Sequence, residues 1–172
     1  QANIAPALGY MLVGDITVDP TKVMVHGPGS LLKEMTSITV PLVVLQDVDA
    51  DVSLSLPLSL EPKQLFGLDI EMVTVSADVQ SIGSVEFHDI SIRLENVPSG
   101  VEVSVIPHVI GMEVEGGLDR LLELKPEDFT VSFDYQAHWN PDEQLYAPEA
   151  VLPMGVQRVS RFIPEKIEIV QK

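Results

Sequence analysis

From Val52 to Leu60 the chain alternates without a break. Val52, Leu54, Leu56, Leu58 and Leu60 are apolar, and Ser53, Ser55, Pro57 and Ser59 stand between them. Only a pleated strand puts every second side chain on one face, so this row predicts a strand with one buried side. The same spacing recurs at Val73-Val75-Ala77-Val79, Val101-Val103-Val105, Phe129-Val131-Phe133-Tyr135 and Ile167-Ile169. Valine, stiff at its first torsion and suited to the pleat, occurs 24 times in 172 residues and points the same way.

The interruptions are as informative as the rows. Near His88-Asp89 the apolar phase moves from Val85 and Phe87 to Ile90, Ile92 and Leu94, which a bulge would produce. Pro41 and Pro57 cannot donate to a ladder, so strands containing them belong at edges or are bulged there. Two short segments have helical spacing. Ser30 is placed to cap Leu31-Leu32-Lys33-Glu34-Met35, and Gly117 precedes Leu118 to Leu124, with Leu118, Leu121 and Leu122 on one face. Helices this short have to pack on a sheet to persist. The fold class read from these patterns is all-β, mostly antiparallel, in small β-rich modules with one short helix per module.

A repeat sets the domain organisation. Shifting the sequence by 89 lays Val25-His26-Gly27 on Val114-Glu115-Gly116, Leu32 on Leu121 and Met35 on Leu124. The same shift lays Val40, Leu42 and Val44 on Phe129, Val131 and Phe133. Pro20 to Val23 falls on Pro107 to Ile110 after a small adjustment, and Leu56-Pro57 echoes Leu152-Pro153. Two tandem repeats are therefore expected, residues 1–80 and residues 84–172. Asn3 to Tyr10 resembles Asn96 to Val101, and the second copy has a full strand before that point, about Val85 to Leu94. The first module is thus expected to lack its opening strand, leaving a swapped strand, a neighbouring molecule or an exposed edge in its place. Pro164 to Ile169 repeats the spacing of Pro20 to Val25 and reads as a closing strand or the start of a further copy.

Charge and composition exclude whole classes of function. Ten basic against 26 acidic residues give a net charge of −16, so binding to phosphate backbones or anionic lipid through a basic face is not expected. Cysteine is absent, which removes disulfides, thiolate zinc sites and cysteine nucleophiles. No apolar run approaches the roughly 18 residues of a membrane helix.

The proline-led motif Pro20, Val23, Val25, Gly27, Pro28, followed by Leu31 through Met35, resembles the YbbR domain of bacterial extracytoplasmic proteins. So does its second occurrence at Pro107, Ile110, Val114, Gly116 and Leu121 through Leu124, and Gly9-Tyr10 with Leu12 fits ahead of the first. The resemblance covers nearly the whole chain as two copies. It implies an extracytoplasmic location, on the periplasmic or cell-envelope side, and a membrane anchor in an N-terminal segment outside this chain. It also implies a role as a non-catalytic interaction and regulatory module, in some bacteria as partner of a membrane diadenylate cyclase. The alternative is a secreted or surface structural or adhesion spacer. No enzymatic activity is expected, and no catalytic residue, cofactor or metal is carried over.

The residues alone offer few centres of chemistry. Asp47-Val48-Asp49-Ala50-Asp51 opens like a calcium loop, but Val52 stands where glycine is needed and Leu58 where glutamate is needed, so it reads as a solvated hairpin tip. His26, His88, His108 and His138 have no second histidine at ligand spacing. Gly27-Pro28-Gly29-Ser30 lacks the spacing of a phosphate loop, and there is no nucleophile elbow. What remains is the long loop with the single tryptophan. His138, Trp139 and Tyr146 form the candidate interaction loop, since aromatics concentrate at contacts; the structural alternative is that they fold back over the sheet. Trp139→Ala is expected to weaken partner pull-down without lowering the melting temperature.

Overall fold

The structure, a computed structural model, describes residues 2–33, 35–38, 40–61 and 65–171. The chain forms two compact units, residues 1–80 and 81–172. Strands dominate both.

The first unit runs β1 (Ala2–Pro6), β2 (Tyr10–Asp19), β3 (Val25–His26), α1 (Gly29–Leu32), β4 (Val43–Val48), β5 (Val52–Pro57), β6 (Gly67–Leu68) and the opening part of β7 (Met72–Glu95). β1 and β4 pair in parallel, with Ile4 opposite Leu45. β5 pairs antiparallel with β7, Leu54 opposite Val75 and Leu56 opposite Val73, while β2 also pairs with β7. β3 pairs antiparallel with β6, Val25 opposite Leu68. Val73, Val75, Ala77 and Val79 are all buried, as their alternation requires. The close-packed centre is small: Ile4, Val52 and Ala77, with Leu12, Ile16, Leu45, Val48 and Leu54 half-buried around them.

The second unit takes the rest of β7 and adds β8 (Val103–Ile106), β9 (Val109–Gly117), α2 (Leu118–Glu123), a 3-10 turn at Pro126–Asp128 and β10 (Thr130–Asp134). α3 (Tyr135–His138), β11 (Leu145–Tyr146), β12 (Glu149–Val151), β13 (Val156–Ile163) and β14 (Ile167–Gln171) complete it. Here β7 pairs antiparallel with β9 and then parallel with β10, Leu94 opposite Phe133. β10 also carries β12, β9 carries β13, and β14 lies between β8 and β11. One continuous core runs from Phe87 and Ile90 through Met112, Val114, Leu121, Phe129, Val131 and Phe133 to Ile167. The bulge expected near His88-Asp89 is present: register shifts between Phe87 and Ile90, and Asp89 takes a φ of 59°.

Several details differ from the sequence reading, each for a local reason. Ser30 lies inside α1 rather than capping it; Pro28 flanks the helix, and its carbonyl accepts from the amides of Leu31 and Leu32. Met35 lies past the helix end, and Glu34 is outside the described residues. On α2 the buried leucine is Leu121, while Leu122 is exposed. In β4 the inward residue is Val43; Leu42 and Val44, matched by the shift of 89 to buried Val131 and Phe133, are exposed. Val40 to Leu45 is apolar except for Pro41, so no alternation fixes its phase and long-range pairing decides. Asn3 to Pro6 lies in β1, held by the parallel ladder with β4.

The acidic run Asp47 to Asp51 is not a hairpin tip, since β4 and β5 belong to different ladders. Leu56-Pro57 and Leu152-Pro153 likewise sit apart, the first closing β5 against β7 and the second following β12. Finally, the strand read through Tyr135 stops at Asp134, whose carboxylate accepts from the Ala137 amide and starts the additional helix α3.

Candidate functional site

An open cavity of about 1000 Å³ lies in the first unit. It is built by the elements that carry the proline-led motif. β2 contributes Ile16 and Val18, the turn after it Pro20 and Val23, β3 contributes Val25 and α1 Leu32. Met35, Ile38 and Val40 follow from the segment before β4, and Leu58 and Val73 complete the wall. Thr17, Thr21, Lys22, Thr36 and Ser37 give it polar groups. Leu58 and Val73 are buried, whereas Val25, Leu32, Met35 and Val40 are only half-buried. A smaller cavity of about 240 Å³ shares Ile16, Val18 and Val40 and extends to Ala2, Val43 and Val75.

Local sequence explains the shape. Gly27 ends the strand where the Phe66 ring lies so close that a Cβ would stand 2.7 Å from it, so only glycine lets β3 and the segment around β6 meet. Met24 and Asp69 tie the same two segments: the Met24 amide donates to the Asp69 carboxylate at 2.7 Å, and the Asp69 amide to the Met24 carbonyl at 3.2 Å. Among the described residues β3 has β6 on one side and no strand on the other.

The long loop of the second unit has a different character. Trp139 stacks on Tyr135, ring centroids 5.1 Å apart and planes 15° from parallel, and is half-buried against the core. Tyr146 is buried beside Phe133, and its hydroxyl donates toward the carbonyls of Asn140 (2.7 Å) and Glu143 (3.0 Å) and accepts from the Asn140 amide (3.2 Å). His138 is exposed, 3.7 Å from the Glu149 carboxylate. The Ala137 backbone N–H, joined by the Asn96 side chain, holds the Asp134 carboxyl below the usual carboxylate range. These bonds fasten the loop to its own unit, and of the three residues His138 alone is exposed.

The other polar residues disperse. Among the described residues no three His, Asp or Glu side chains gather as a metal site. Asp51 is engaged with the Val79 amide at 2.9 Å, and His88 lies 3.7 Å from Glu86. On the outer face of β9, Glu115 accepts from Arg158 at 2.8 Å and from Ser160 at 3.0 Å, and these bonds hold its carboxyl below its ordinary range. The proline-led motif visible in the sequence lines the cavity, whereas the cavity itself leaves no local pattern. The signal available was a surplus: Ile16, Val18, Val23 and Ile38 are apolar residues to which no strand row assigned a buried partner.

No curated protein and no solved structure matches the chain. A family model described as YbbR-like protein matches residues 4–66, the stretch that supplies nearly all of the cavity wall. The chain therefore carries a YbbR-like domain in its first unit.

Proposed function

We propose that the chain is a non-catalytic interaction and regulatory module of a membrane-anchored YbbR-like protein, working on the extracytoplasmic side with a membrane diadenylate cyclase as its partner. The observation that carries this reading is the apolar cavity within the family-matched residues, since a surface of this kind and size is a place for a partner to bind. In the same reading residues 81–172 are a second module of similar build. Its support is the pairing scheme. β7 with β10 repeats the parallel pair of β1 with β4, β8–β14–β11 repeats β2–β7–β5, and β9 with β13 repeats β3 with β6. Gly9 and Gly100, both at positive φ, occupy matching turns before β2 and β8.

The test is titration of the purified chain onto a membrane diadenylate cyclase held in nanodiscs, reading co-elution and the rate of cyclic dinucleotide formation. Saturable association with a changed rate is expected. Absence of association, with the rate unaltered at saturating chain, overturns the reading of the partner.

A further inference from the structure

We draw no further inference here: the strongest candidate, the apolar cavity of the first unit beside β3, belongs to the site already described, and nothing in the structure shows what covers it.

Discussion

Phe87 and Phe129 meet ring to ring, their centroids 4.7 Å apart and their planes tilted by 54°. One comes from the strand that covers the core of the second unit and the other from the segment that follows its helix, so the contact closes the core from two sides. Removing the ring of Phe87 deletes that closure. Phe87→Ala is expected to destabilise the second unit by about 3 kcal/mol, read from urea unfolding followed by the fluorescence of Trp139.

Gly116 lies on β9 where β13 turns in, and a Cβ there would strike the carbonyl oxygen of Gly155, a backbone atom that cannot rotate away. Gly116→Ala is therefore expected to cost about 1–3 kcal/mol by forcing β13 off its ladder. Faster hydrogen exchange along Val156 to Ile163 is the confirming measurement. An unchanged exchange pattern contradicts the steric reading.

Trp139 is stacked on Tyr135 and packed on the core, so the expectation that its loss leaves the melting temperature alone gives way. Trp139→Ala is expected to destabilise by about 1–2 kcal/mol, the sum of a half-buried indole and one stacked pair. Calorimetry of the variant decides it.

Tyr146 anchors the same loop through its hydroxyl, which serves Asn140 twice and Glu143 once. Tyr146→Phe keeps the ring beside Phe133 and removes only those bonds. A loss of about 1–2 kcal/mol is expected, with faster exchange confined to Asn140 to Glu143. Uniform loosening of the whole unit instead would show that the hydroxyl does more than hold the loop.

Glu115 and Asp134 define an acid limit. The bonds from Arg158 and Ser160 lower the Glu115 pKa, and those from Ala137 and Asn96 lower that of Asp134. With folded values below unfolded ones, the unfolded chain takes up protons first as pH falls. The stabilisation is complete above the ordinary carboxylate range of about 4, and it fades as pH drops through the lowered folded values. Both groups are exposed to solvent screening, so the effect is small. Unfolding midpoints between pH 5 and pH 2 are expected to fall less steeply in Glu115→Gln than in the unaltered chain.

The alternation made much of this architecture legible. Val73 to Val79, Phe129 to Phe133 and Ile167-Ile169 are buried at the positions their spacing marks, and the phase change after Phe87 did report a bulge. Where alternation is missing, the reading failed. Val40 to Leu45 carries apolar residues on both faces, so its inward set came from pairing with β1, which no local pattern announces. Tyr135 fits the strand row before it, yet the Asp134 side chain accepts from the Ala137 amide and caps a helix there, a contact that alternation does not report. The loop aromatics were visible as candidates, but their stacking and hydroxyl bonds are tertiary facts. The cavity was hidden for a related reason: a list of apolar residues does not say which of them lack a neighbour.

The bulge in β7 sets a length as well as a facing. Phe87 faces Met112 and Ile90 faces Ile110, three steps on one strand against two on the other. Deleting Asp89 would even the count and keep both side chains inward, yet it would draw Ile92 to Glu95 back by about 3.3 Å, one strand residue. That part of the strand is already committed to β10, beginning with Ile92 against Val131. The surplus residue is thus a spacer that reconciles two neighbours running in opposite senses, and a chain shortened there would have to surrender its grip on one of them.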